Sequence, residues 1–272
     1  MNSSIKIKIK NFSEGENSIL EDFIAVEEPI EITLIYGNES ERISKPVSVT
    51  MRTPGNDNEL ALGFLFTEGI IKSFEQISEV IIKEENKIHI SLQENVLPDI
   101  LNAERNFYTS SSCGVCGKSI IDSVRTVSVY NTTIDEISLN REIFYGLNEM
   151  LRSRQTVFDS TGGLHASALF DTEGIFIMLR EDVGRHNALD KIIGNAFMNN
   201  ILPLNDKILL LSGRASFELI QKAAMAGIKI VAAIGAPSSL AVQMAVEAEI
   251  TLIGFLKNER FNVYSGEQRI KI

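Results

Sequence analysis

From residue 164 onward the chain repeats one order, strand then loop then helix, and two of its strands are apolar runs rather than alternations. These are 207–211 (KILLL) and 228–234 (IKIVAAI). A strand with one face in water alternates, whereas a strand buried on both faces does not. The pattern therefore predicts an α/β fold with a parallel sheet between two layers of helices. The helices belong at 188–198, 217–226 and 240–248, with further strands at 250–255 and 261–264. A hairpin of 166–170 and 175–179 turns at the sequence DTEG.

The chain upstream reads differently. Residues 1–22 look like a loosely fixed lead-in that begins with an edge-strand pattern. Strands at 29–36 and 47–52 form a hairpin, with Gly37-Asn38 as a turn signal. Asp57 or Asn58 caps a helix that stops near Gly69. A second hairpin, 80–83 with 87–92, turns at Glu85-Asn86 and leaves His89 as a surface residue. Residues 143–154 have helical period. The organisation expected is an N-terminal α+β domain over 1–108, a loop over 109–119, and a C-terminal domain over 120–272, so α+β overall.

Parallel strands joined by helices share one edge for their C-terminal ends, and ligands bind in the crevice there. Four loops should open on it: 180–187, 212–216, 235–239 and 256–260. Asn187, Ser216 and Ser238 or Ser239 are candidate helix N-caps. Free N–H groups and the helix dipole make such ends anion sites. Arg185, Arg214, Lys257 and Arg260 bring charge, and Gly184, Gly213 and Gly235 permit close backbone approach. Any one of these loops can be an ordinary turn and cap. Four on one edge, with four cations in an acidic protein, point to an anionic, phosphorylated ligand of some size. Phe255 can stack on a flat ring or serve as core, and His165 and His186 can hydrogen-bond in the crevice.

Both cysteines, Cys113 and Cys116, lie in the stretch TSSSCGVCGKS, among residues too polar to bury them. A C-x-x-C pair serves as half a zinc site, as a redox couple, or as a relay carrying persulfide sulfur. Each use gains from a lowered thiol pKa. A helix starting after Cys116 would turn its positive end to the thiols, beside Lys118. A zinc site would need Cys113, Cys116 and a scattered histidine, a weak pattern, so no structural metal is expected. The sequence shows no thioredoxin-like β-α-β lead into the pair, which argues against the redox couple.

The 272 residues carry 36 acidic and 26 basic side chains, a net charge of -10, and are 44% hydrophobic. That leaves room for a substantial core and excludes the basic surface of a nucleic-acid binder. The first ten residues alternate apolar and basic, unlike a signal peptide, and no apolar run reaches membrane-spanning length. The expectation is a cytoplasmic protein with no nucleic-acid or membrane partner.

Several stretches together resemble the formate dehydrogenase accessory sulfurtransferase family, FdhD. They are LGFLFTEG within 53–71, CGVCG at 113–117, TGGLHA at 161–166 and EDVGRHNALDK at 181–191. SGRAS at 212–216, GAPSSLA at 235–241 and residues 255–260 follow in the same order. The resemblance spans about residues 28–266. It implies a cytidine-deaminase-like three-layer α/β/α C-terminal domain, and a homodimer. It also implies a sulfurtransferase with a cysteine persulfide intermediate. Sulfane sulfur would pass from a cysteine desulfurase to Cys113, assisted by Cys116. It would go on to the molybdenum cofactor, bis-molybdopterin guanine dinucleotide, before that enters formate dehydrogenase. Phe255, Leu256, Lys257, Asn258, Glu259 and Arg260 would contact the cofactor. Arg185, His186, Ser212, Gly213, Arg214, Ser216, Gly235, Ser238 and Ser239 complete the expected binding set. Zinc deaminases carry H-x-E before P-C-x-x-C. Here His165-Ala166-Ser167 lacks the glutamate, and the C-x-x-C lies upstream. Two other functions compete: a chaperone that binds the cofactor without sulfur chemistry, and a thiol–disulfide oxidoreductase.

Overall fold

The computed structural model describes residues 2–100, 130 and 137–271. Cys113, Cys116, the 109–119 loop and the helix expected after Cys116 lie outside the described residues.

The C-terminal part is built on a six-stranded mixed sheet. Its strands are β8 (His165–Asp171), β9 (Phe176–Asp182), β10 (Lys207–Leu211), β11 (Ile230–Ala233), β12 (Thr251–Lys257) and β13 (Arg260–Ser265). The order across the sheet is β13-β12-β11-β10-β8-β9. As the apolar runs required, β10, β11 and β12 are parallel neighbours. β8 is antiparallel to both β10 and β9, which makes β9 parallel to β10. β10 is buried on both faces: Leu209 and Leu211 enter one core, Ile208 and Leu210 a second. The first face is covered by α4 (Arg185–Met198), α5 (Phe217–Met225) and α6 (Ser239–Glu247). The second is covered by a 3-10 turn (Arg141–Phe144) and α2 (Leu147–Arg152), through Phe144, Leu147 and Leu151. The helical period over 143–154 is thus broken at Gly146, which takes φ +85 before α2 begins. A short helix α3 (Thr156–Thr161) leads into β8. A two-residue parallel pair, β7 (Leu139–Asn140) with β14 (Ile270–Lys271), ties the chain end back to the start of this part.

The N-terminal part holds a four-stranded sheet of order β4-β3-β6-β5. Its strands are β3 (Glu28–Gly37), β4 (Arg42–Arg52), β5 (Ile77–Glu84) and β6 (Lys87–Leu92). Both expected hairpins are present, and β3 pairs β6 in parallel between them. Helix α1 (Asp57–Thr67) follows β4. Its N-cap is Asn56 in the left-handed region, not Asp57 or Asn58. Asp57 turns instead to Arg52, whose Nε lies 3.1 Å from Oδ1. His89 is half-buried on β6.

The expected loose lead-in is an ordered hairpin, β1 (Ser4–Ser13) with β2 (Glu16–Ala25), paired along its whole length. Gly15 at φ +92 makes the tight turn that lets these strands meet. The hairpin packs on α3 and leaves Phe12 and Ile19 more than two-thirds exposed.

α1 and α4 join the two sheets. They cross at Gly63 and Gly194, where a Cβ on Gly63 would lie 1.9 Å from the Asp190 carbonyl oxygen. One hydrophobic core runs through the crossing, from Ile32 and Ile90 through Leu62 and Phe66 to Ile193, Leu219 and Val231.

Candidate functional site

The C-terminal ends of β9, β10, β11 and β12 and the first residue of β8, His165, meet on one edge of the six-stranded sheet. This is the edge expected to carry the crevice. The loops after β10 and β11 are laced together there. Gly235 N–H donates to Gly213 O at 2.9 Å, Ala215 N–H to Ala236 O at 3.2 Å, and Ser238 N–H to Ala215 O at 3.0 Å. A Cβ on Gly235 would come within 2.9 Å of Gly213 O, so these backbones meet only through glycine. Phe255 extends the lacing with its N–H 3.1 Å from Gly235 O.

Helices α4, α5 and α6 begin at this edge, and each presents the partial positive charge of its free N–H groups. Ser238 caps α6, accepting from Ala241 N at 3.2 Å. Ser239 is the first helical residue of α6. Ser216 sits at the N-cap of α5 without capping it, and its hydroxyl lies 3.4 Å from His186 Nε2. Asn187 is no cap: α4 starts two residues earlier, behind Gly184, and the Asn187 amide turns inward. Ser212 is also turned to the sheet, where its hydroxyl accepts Ala166 N–H at 2.8 Å. Gly213 faces His165: a Cβ there would lie 3.4 Å from the His165 Nδ1.

Arg185 opens α4, and its buried Nε has no hydrogen-bond partner among the described residues. An unmet guanidinium N–H beside helix N-termini is what an oxyanion ligand would satisfy. Burial holds the His165 pKa below its ordinary value, with Arg185 and His186 adding to this and Asp182 opposing it. His165 is therefore neutral at pH 7, a hydrogen-bonding group rather than a cation. His186 Nε2 lies 3.6 Å from Glu218 Oε2, and the Glu218 carboxyl is held down to about 2, chiefly by that ring. Ser216 and Glu218 meet the same ring nitrogen. A serine nucleophile relay needs the acid on the opposite nitrogen, so this trio holds the ring and is no hydrolase triad.

The other expected contacts sit at the β12–β13 turn. Phe255 takes φ +52 and is 44% exposed near the C-terminal end of β12. Lys257, Glu259 and Arg260 are exposed, and the Asn258 amide donates to Glu149 of α2. Leu256 differs from its neighbours: its side chain is fully buried in the second core, so only its backbone can face a ligand. Arg214 is exposed at the loop tip after β10.

One group escaped the reading of the sequence. Asp182 and Lys191 form a buried ion pair at 2.7 Å. Thr53 of the N-terminal part donates its N–H to Asp182 Oδ2 at 3.2 Å and accepts from Lys191 Nζ at 2.9 Å. Within EDVGRHNALDK, Asp182, Asn187, Asp190 and Lys191 are therefore internal, and Arg185 and His186 are left partly exposed at the start of α4. The available signal was Asp190 and Lys191 standing inside the apolar helix pattern ALDKII. Among the described residues no cluster of His, Cys, Asp and Glu could hold a metal ion, and no helix is long and apolar enough to cross a membrane.

The pattern of the FdhD/NarQ family matches residues 25–271. The chain belongs to the FdhD/NarQ family. A relative from Streptomyces avermitilis, named sulfur carrier protein FdhD, is 46% identical, with 97% of this chain and 95% of that protein covered. The protein of the same name from Sulfolobus acidocaldarius is 41% identical, with 98% of both covered. The fold also matches a crystal structure from Desulfotalea psychrophila, described as a candidate formate dehydrogenase accessory protein. The TM-score is 0.76 at 24% identity, covering 99% of this chain and all of that one. At that identity the likeness speaks for the fold alone. The FdhD/NarQ match takes in both main sheets and this edge.

Proposed function

We propose that this FdhD/NarQ protein is a sulfur carrier in the maturation of formate dehydrogenase, as the names of its relatives suggest. In this reading the Cys113 thiolate attacks the outer sulfur of a cysteine desulfurase persulfide. The donor S–S bond breaks, the desulfurase cysteine leaves as a thiolate, and Cys113 becomes the persulfide with no net oxidation. Cys116 assists at the same loop. The acceptor substrate is the molybdenum of bis-molybdopterin guanine dinucleotide, and the carrier works as a cytoplasmic homodimer.

The observation that carries the acceptor side is the unmet Arg185 Nε beside the starts of α4, α5 and α6. A dinucleotide brings diphosphate oxyanions that suit this donor set. Arg185 and the free N–H groups in the first turns of α5 and α6 would hold phosphate. Phe255 would lie against a flat ring, and Lys257 and Arg260 would close over the exposed side. His165, kept neutral, can donate or accept a hydrogen bond without adding charge.

Desulfurase and cysteine should load one extra sulfur onto Cys113, located by mass spectrometry of peptides. Cys113→Ala should abolish both loading and activation of formate dehydrogenase. Normal activation by that variant would leave the chaperone reading standing instead. Reversible formation of a Cys113–Cys116 disulfide with activity on generic disulfides would favour the oxidoreductase.

A further inference from the structure

We propose that Asp182 is the positioning residue of the crevice: it sets Arg185 and His186 in place and makes their placement depend on Thr53 of the N-terminal part. The functional side of this rests on the crevice being the anion site.

Asp182 is fully buried and so out of reach of a ligand. Its Oδ1 accepts Gly184 N–H at 2.8 Å and the Asn187 amide at 3.0 Å. Those two residues flank Arg185 and His186, so one carboxylate oxygen grips both sides of the pair. A Cβ on Gly184 would lie 2.9 Å from Asn187 Nδ2, so glycine is needed for this close turn. Oδ2 is held by Lys191 Nζ at 2.7 Å and by Thr53 N–H at 3.2 Å. The stitching to the N-terminal part continues on both sides. Val183 N–H donates to Thr53 Oγ1 at 3.2 Å, and the Asn187 amide donates to Met51 O at 2.8 Å. The end of β4 is therefore the wall against which the first turn of α4 is held. A shift at 51–53 reaches Arg185 through Asp182, Val183 or Asn187. The N-terminal part thus belongs to the binding site without lining it.

The test uses the full-length chain with inorganic pyrophosphate as the probe. Asn187→Ala removes the amide grip but leaves the Asp182–Lys191 pair, so the chain should still fold. Asp182→Asn is the stronger variant. We expect both to weaken pyrophosphate binding at least tenfold at pH 7. A second readout is independent of any ligand. Arg185 and His186 help to hold the His165 pKa down while Asp182 opposes them. Loosening the first turn of α4 should raise the His165 midpoint, followed by NMR of the ring, in Asn187→Ala. A merely structural role would lower the melting temperature and leave this midpoint and the affinity of the folded protein unchanged. That result would overturn the proposal. If Asp182→Asn does not fold, Asn187→Ala decides. If wild type does not bind pyrophosphate, the crevice reading fails, and the His165 midpoint alone decides whether Asp182 positions the turn.

Discussion

Arg52 and His165 show what it costs to take single polar side chains out of water. Arg52 is fully buried, with Asp57 Oδ1 and Oδ2 each 3.1 Å away and Glu28 Oε2 at 3.4 Å. Removing one partner of a buried pair leaves a charge in low dielectric, which costs about 3–5 kcal/mol. Asp57→Ala should cost near the lower end, because Glu28 and the Asn86 side chain still reach the guanidinium. Urea unfolding measures it. His165 gives a pH dependence. Its folded pKa lies below the unfolded value of about 6.5, so the unfolded chain binds the proton more readily. Stability is fully present above that value and falls as pH drops through the folded pKa. The melting temperature of wild type should decline below about pH 6.5, and His165→Gln should flatten that decline. An equal slope in both proteins would show that His165 is not the titrating group.

At the scale of elements, α1 and α4 cross at backbone contact between the two sheets. A Cβ on Gly194 would lie 1.8 Å from the Glu59 carbonyl oxygen, and one on Gly63 would lie 1.9 Å from the Asp190 oxygen. These neighbours are backbone, so no rotamer change relieves the clash. Gly63→Ala or Gly194→Ala should each cost about 3 kcal/mol, the upper range for overpacking. The double variant should cost less than the sum, because either methyl already separates the helices. Thermal unfolding of the three variants checks both points. Ion pairs frame the crossing: Arg180 Nε lies 2.5 Å from Glu59 Oε2, and Lys222 Nζ lies 3.0 Å from Asp190 Oδ1. Burial works against the Lys222 charge, but Asp190 and Glu68 outweigh it and raise its pKa. At its partner burial outweighs Lys222 and raises the Asp190 carboxyl pKa. The strands and helices that make these contacts were largely legible in the sequence. β10 has the expected ends, and α5 and α6 begin within one residue of expectation. The β1–β2 hairpin was half legible. Ile5, Ile7 and Ile9 alternate clearly, but ENSILEDFIA in β2 has no clean period of two. Its pairing is decided by the turn at Gly15 and by α3, not by its own pattern.

Among the described residues of the whole molecule, two main sheets share a continuous core, from Ile32 in β3 to Val231 in β11. Parts that share a core and buried ion pairs unfold together. Calorimetry should therefore show one transition with matching calorimetric and van't Hoff enthalpies. Two resolved transitions would mean that the N-terminal part is stable without the C-terminal part. The same continuity gives the site its logic: the crevice lies on one part, while the residues that steady its α4 wall lie on the other.

From residue 164 onward the order of strands, loops and helices, and the edge where the loops converge, follow from the sequence by itself. The reason is that apolar runs, caps and turns act over a few residues, and parallel β10, β11 and β12 leave their loops no other edge. Which members of EDVGRHNALDK face inward was decided only by tertiary structure. Asp182 reads as polar, and Asn187 as a helix cap, until Thr53 and Met51 arrive from 129 and 136 residues away. Burial of a charge depends on such distant partners, because without Lys191 and the Thr53 N–H the cost of desolvating Asp182 would be unmet.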